Sequence, residues 1–139
     1  MKRYSVGFVL NGDGSKVILV TKNHPDWQKG LLNGPGGHVL DNETFLQAVV
    51  REVFEETGVE TQEAYWQLMA ETVKMGQYSI QFFRAFVKDF EPKSFVSSDE
   101  PAAWYEVNNL PPHTLYNVRW MLQMFNDTML QFPVLLYNR

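Results

Sequence analysis

There is no cysteine in this chain of 139 residues. Disulfides and thiol catalysis are thereby excluded, and a reducing compartment such as the cytoplasm suits the sequence. Positive charge is also scarce. Twelve lysines and arginines stand against sixteen aspartates and glutamates, a net charge of −4 with histidine neutral. With no basic run, no footprint for a nucleic-acid polymer is expected. Long apolar runs are missing too, and nothing approaches the roughly 20 residues of a membrane span. The opening MKRYSVGFVLNGDG sets two basic residues before a short apolar run that Gly7 interrupts and a turn ends. That pattern predicts a strand rather than a signal peptide. What is abundant is core material. The chain is 45% hydrophobic and 14% aromatic, which argues against disorder and for one domain over residues 1–139.

Two β-rich segments, 4–10 and 16–22, flank NGDGS and predict a hairpin. HPDWQKG reads as a loop. Segments 64–74 and 78–88, rich in aromatic and β-branched residues, predict a second hairpin around Met75-Gly76-Gln77. A polar loop follows over 91–101, then a strand over 102–107. Leu110-Pro111-Pro112 breaks the chain. Leu115, Val118, Met121, Leu122 and Phe125 recur at helical spacing and predict a helix over 114–126. Residues 132–137 suit a closing strand. There are no repeats and no linker. Helices mixed among hairpins predict an α+β layered fold.

The stretch REVFEETG, residues 51–58, packs three glutamates into five positions. On a helix, with Glu52 at zero, Glu55 falls near about −60° and Glu56 near about +40°. Three like charges on one face repel by roughly 0.2–0.5 kcal/mol per pair. Arg51 supplies only one opposing charge. Leu46, Val50, Val53 and Phe54 fall between about 100° and 200°, which predicts an apolar stripe opposite the acids. Thr44 and Gln47 have the form of a capping box, and Gly58 suits the position that ends a helix, so the helix is expected over 44–57. Such a face is either a solvated acidic surface or a site for a hard divalent cation, which takes oxygen ligands.

The spacing separates the two. From Gly37 the chain reads GHVLDNETFLQAVVREVFEETGV, with Glu43, Arg51-Glu52, Glu55-Glu56 and Gly58 in fixed register. This resembles the signature box of the MutT/Nudix hydrolases over residues 37–59. The resemblance implies a Nudix-type α/β/α sandwich with a mixed sheet, the box forming a loop-helix-loop. It implies hydrolysis of a diphosphate linkage in a small nucleotide substrate, with Mg²⁺ (or Mn²⁺) as cofactor. Glu52, Glu55 and Glu56 would then be metal ligands, joined by the Gly36 carbonyl. Arg51 would orient Glu43 and the box glutamates, a structural role at the catalytic centre, as Gly37, Glu43 and Gly58 are structural in the motif. The general base would be Glu52 or Glu100, and Glu100 would face the metal from its loop.

Outside the box, LLNGPGGHV and SSDEPAAWYEVNNLP are similar to the branch of the family that acts on oxidised-purine nucleoside triphosphates. That likeness implies substrate-binding roles for Asn33 and Trp27 at the base and for Lys22 at phosphate. Each also has a plain alternative: turn former, core aromatic and solvated strand end. Where that branch carries paired aspartates after the proline break, this sequence offers Asn117, able to donate and accept. Cleavage of a nucleoside triphosphate to a monophosphate and pyrophosphate is the expected reaction. A Nudix hydrolase of ADP-ribose, a dinucleoside polyphosphate or a nucleotide sugar, and a non-catalytic nucleotide-binding regulator, are the alternatives. No membrane partner is expected, and a homodimer is left open.

Overall fold

The computed structural model describes residues 1–88, 92 and 99–138. Most of the polar loop expected over 91–101 lies outside the described residues, which resume at Asp99. The strands are β1 (Lys2–Leu10), β2 (Lys16–Thr21), β3 (Leu32–Asn33), β4 (Gly36–His38), β5 (Gln67–Lys74), β6 (Tyr78–Phe86), β7 (Ala102–Glu106) and β8 (Val134–Tyr137). The helices are α1 (Phe45–Thr57) and α2 (Tyr116–Phe125). Among the described residues, all eight strands join one mixed sheet. Both predicted hairpins form, β1 with β2 and β5 with β6, each antiparallel. The centre is a parallel pairing of β1 with β6 along nine residues of each strand, and β8 closes the far edge parallel to β5.

The alternation of side chains along the strands makes two cores. Phe8, Leu10, Val17, Leu19 and Phe82 pack with Val118, Met121, Leu122 and Phe125 of α2. Val9, Ile18, Phe83 and Ala85 pack with Val49 and Val53 of α1. One helix therefore covers each face, and the fold is an α+β sandwich. Gly7 lets α1 come close. A Cβ there would lie 2.7 Å from Val49 Cγ2 and 2.9 Å from both Val53 Cγ2 and Trp66.

Element ends differ from the sequence reading in small ways. HPDWQKG carries a 3-10 turn, Asp26–Gln28, and another occupies Glu63–Tyr65, so β5 starts later than expected. The α1 stripe needs a larger correction. Its buried residues are Ala48, Val49, Val53 and Thr57, whereas Phe54 is 38% exposed and Leu46 and Val50 are only half-buried. The packed face is rotated toward Glu52 and Glu56. Those acids sit at the seam between helix and sheet, because Gly36 and Gly37 leave room for them there. No helix among the described residues is long and apolar enough to cross a membrane.

Candidate active site

The seam begins with β4. Its residues pair with the N-terminal half of β1, Ser5 against Gly37 and Val6 against Gly36. A side chain at Gly36 would collide with the Ser5 carbonyl, and a Cβ at Gly37 would lie 2.7 Å from Glu52 Oε1. Glycine at both positions brings the carboxylates of α1 down onto the strand. The helix itself is set by its ends. Thr44 and Gln47 form the reciprocal capping box, and Gly58 closes the helix at φ 79°, donating its N–H to Phe54 O.

Arg51 ties the outer carboxylates together. Its Nε and Nη2 donate to Glu43 at 2.7 and 2.9 Å, and its Nη1 donates to Glu52 at 3.0 Å and Glu55 at 3.3 Å. Nη2 also reaches the His38 carbonyl at 3.2 Å. Hydrogen bonding to Arg51 holds the Glu43 carboxyl below its usual range, and the same bond raises the guanidinium above its own. A planar fork with five donors suits this task, where lysine offers a single point charge.

Glu56 lies deeper. Its Oε2 accepts the Gly36 N–H at 2.9 Å. Burial first, then the hydrogen bond and charge of Glu52, push its carboxyl up to about 9, while Lys22 and the Gly36 N–H pull the other way. A like charge close by in a poorly solvated place favours the protonated form of Glu56. Among the described residues, no group of three or more His, Cys, Asp or Glu is arranged to hold a metal ion. Arg51 stands among the outer carboxylates, and Lys22 bears on the inner one. The donor chemistry nevertheless fits a hard cation. Two crowded carboxyls offer oxygen ligands whose repulsion a divalent ion would offset.

Lys22 follows directly after β2 and pairs with Glu100 at 3.4 Å, both side chains largely buried. Glu100 also accepts the Asn23 N–H at 2.8 Å and the His24 N–H at 3.2 Å. It is 6% exposed, so it is no solvated turn residue. Burial alone would raise its carboxyl, but the Asn23 N–H, the Lys22 charge and the His24 N–H outweigh burial and leave it below its ordinary value.

On the substrate side, Asn33 Nδ2 donates to Gln28 Oε1 at 3.2 Å, and its Oδ1 accepts the Gly34 N–H at 2.8 Å. Trp27 projects from the 3-10 turn, 66% exposed. Leu32 bridges Thr114, which brings the start of α2 and Asn117 beside the strand of Asn33. Asn117 Oδ1 and Thr114 Oγ1 are buried there without a protein partner. A cleft of about 510 Å³ opens elsewhere, between Val50, Arg51 and Phe54 on α1 and Glu60, Thr61, Gln62 and Tyr65. Arg51 lines it, whereas Glu52 and Glu56 do not.

The structure thus gathers Glu43, Arg51, Glu52 and Glu55 in one network and joins Glu56 to Gly36. Lys22 pairs with Glu100, and its charge also bears on Glu56. Gln28, Asn23 and Asp99 were not found from sequence. An amide five residues before Asn33 carries no spacing signal, and backbone donors at Asn23 and His24 are invisible to any side-chain motif.

The family model of the NUDIX domain matches residues 1–124. The chain belongs to the Nudix family. It is a Nudix hydrolase, an enzyme acting on phosphorus-containing anhydrides. An oxidized purine nucleoside triphosphate hydrolase of Danio rerio is 28% identical to this Nudix chain over 137 residues, covering 94% of it and 78% of the relative. The mutator MutT protein of Bacillus halodurans superposes with a TM-score of 0.72 at 20% identity, over 99% of this chain and 87% of that one. A MutT/nudix family protein of Enterococcus faecalis superposes with a TM-score of 0.63 at 20% identity, over 76% of this chain. Only 43% of that longer protein is spanned. The solved structures establish the shared fold.

Proposed function

We propose that this Nudix hydrolase is a divalent-cation-dependent nucleoside triphosphate pyrophosphohydrolase, one Nudix domain over residues 1–139, with oxidised or damaged purine nucleotides as its candidate preference. The observation that carries this is the Glu52–Glu56 carboxyl pair seated on Gly36 and Gly37. The name of the Danio rerio relative supports the substrate class. Glu52, Glu55 and Glu56, with the Gly36 carbonyl, would hold Mg²⁺ (or Mn²⁺). When bound, the metal would neutralise phosphate charge and acidify the attacking water.

Glu52 takes the proton from that water as it attacks phosphorus and a P–O bond of the anhydride breaks, giving a monophosphate and pyrophosphate. Glu100 is the other candidate for the base; its oxygens accept from Lys22, Asn23 and His24, as Glu52 accepts from Arg51. Arg51 holds Glu52 and Glu55 in place and withdraws Glu43 from the metal. Lys22 is close enough to Glu56 for its charge to count, which supports a role for it at substrate phosphate. Asn33 and Trp27 present the base, and the unpartnered Asn117 Oδ1 supplies an acceptor beside them.

A panel of nucleoside triphosphates, oxidised purine forms included, together with ADP-ribose, dinucleoside polyphosphates and nucleotide sugars tests this. The expected outcome is Mg²⁺-dependent pyrophosphate release from triphosphates above all others. Preferential cleavage of a diphosphate substrate would replace the proposal. Tight binding without turnover would make the chain a nucleotide-binding regulator.

A further inference from the structure

Arg3 belongs to no motif in the sequence, yet its side chain reaches the segment that enters α1. Its Nη2 donates to Leu40 O at 3.1 Å and its Nη1 to Glu43 O at 3.4 Å. The guanidinium lies 5.6 Å from the centre of the Phe45 ring. The carbonyl of the same residue accepts the Val39 N–H at 2.9 Å. Two residues on, and on the same side of β1, the buried Ser5 donates its hydroxyl to Phe45 O at 2.7 Å. The first strand thus grips residues 39–45 at several points.

That segment turns around Glu43. The Glu43 N–H donates to Leu40 O at 3.0 Å, and the Leu40 N–H donates to Glu43 Oε1 at 2.9 Å. Arg51 then meets the same carboxylate, Nε on Oε2 at 2.7 Å and Nη2 on Oε1 at 2.9 Å. Glu43 is therefore held from two sides, by Arg3 at its carbonyl and by Arg51 at its carboxylate. With Nε and Nη2 committed to Glu43, Nη1 is the donor that Arg51 turns to Glu52 and Glu55.

Resting on the cation-dependent function above, we propose that Arg3 is a positioning residue for the carboxylate site. It fixes the 40–43 turn so that Glu43 occupies two donors of Arg51 and leaves oxygens of Glu52 and Glu55 open to a cation. Without Arg3 the turn loosens and Glu43 withdraws from the fork. The freed donors of Arg51 then compete with the cation for Glu52 and Glu55. Arg3 itself touches neither substrate nor metal. Lysine replaces it only in part, because a point charge lacks the planar fork that spans two carbonyls.

The test compares Arg3→Met, Arg3→Lys, Glu43→Ala and the double variant Arg3→Met with Glu43→Ala against the wild type. Methionine keeps an apolar stem beside Phe45 and removes both donors. Hydrogen exchange by NMR, without metal or nucleotide, reads the Arg51 Nε–H and the backbone N–H groups of Leu40 and Glu43. In Arg3→Met these should exchange at least about tenfold faster, while the Val53 N–H in mid-helix stays within about twofold of wild type. Arg3→Lys should fall between. Titration with Mn²⁺ alone should show Kd raised by about threefold or more in Arg3→Met, and half-activating Mg²⁺ should rise in step, with kcat at saturating Mg²⁺ within about threefold. The double variant should bind Mn²⁺ within about twofold of Glu43→Ala, because Arg3 acts through Glu43. Unaltered exchange of the Arg51 Nε–H in a folded Arg3→Met protein would overturn the proposal. So would independent, multiplying effects in the double variant, or a loss confined to kcat or nucleotide KM with Mn²⁺ affinity unchanged. If Arg3→Met does not fold, Arg3→Lys decides by the same readouts. If the wild type turns over no nucleotide, the function fails, while exchange at Arg51 still decides whether Arg3 positions Glu43.

Discussion

Two carboxyl groups, Glu52 and Glu56, meet over the glycines of β4, and burial beside Glu52 favours the protonated form of Glu56. The linkage this creates has a definite sign. In the unfolded chain Glu56 loses its proton near about 4.5, whereas in the metal-free fold burial and Glu52 hold it to about 9. Folding takes up a proton between those limits. The contribution of Glu56 to stability is full below the lower limit and is lost as pH rises through the upper one. In EDTA, the difference in melting temperature between Glu56→Gln and wild type should therefore move in favour of the variant from pH 5 to pH 9. Thermal melts across that range check this, and a difference moving toward wild type would contradict it. With Mg²⁺ present the same variant should lose at least about two decades of turnover, about 2.7 kcal/mol. Arg51 poses a different requirement, because its fork serves Glu43, Glu52 and Glu55 at once. Lysine has no such geometry. Arg51→Lys should lower kcat by about tenfold or more and stability by about 1–3 kcal/mol, read from steady-state kinetics and denaturant unfolding.

At the scale of the element, α1 is specified by its two ends and by one glycine on another strand. The capping box satisfies donors that the first turn leaves open, and Gly58 takes the left-handed conformation that ends the helix. Thr44→Ala should cost about 1 kcal/mol in chemical denaturation with turnover unchanged. Gly7→Ala inserts a methyl between Val49, Val53 and Trp66. It should destabilise by about 1–3 kcal/mol and reduce activity as well, because pushing α1 from the sheet lifts Glu52 and Glu56 off β4. A Gly7→Ala enzyme with wild-type stability and turnover would show that the close approach is not needed.

For the whole molecule, the proposed cation site at the carboxyl seam would set stability against function in the metal-free state. On the proposed function, ionised carboxyls crowded at one seam repel unless a proton or a cation offsets their charge. A ligand that binds only the fold stabilises it by mass action, about 2.7 kcal/mol at a concentration a hundred times its Kd. Mg²⁺ should therefore raise the melting temperature, and more at pH 8 than at pH 6, where Glu56 retains its proton more fully. EDTA should abolish nucleotide turnover, and Mg²⁺ or Mn²⁺ should restore it. Differential scanning calorimetry and a chelation assay read these outcomes. Undiminished turnover in metal-free buffer would remove the cation from the mechanism.

The local pattern of residues determined much of this protein. Turn residues between β-rich runs placed the hairpins at NGDGS and Met75-Gly76-Gln77, and Thr44, Gln47 and Gly58 marked the bounds of α1 within a residue. These depend on neighbours in the chain, so the sequence carries them directly. The register of Glu43, Arg51, Glu52, Glu55, Glu56 and Gly58 carried the family. Tertiary structure decided the rest. The buried face of α1 turned toward Glu52 and Glu56 because Gly7, Gly36 and Gly37, remote along the chain from some of their partners, admit the helix and its acids. The same packing raises the Glu56 carboxyl, which as an isolated glutamate would titrate normally. Glu100 gained its partners only when the 99–101 turn met residues 21–24, some 76 to 78 positions away. Hydrogen bonds to backbone N–H groups across that distance leave no trace in residue spacing, because any residue but proline can supply the donor.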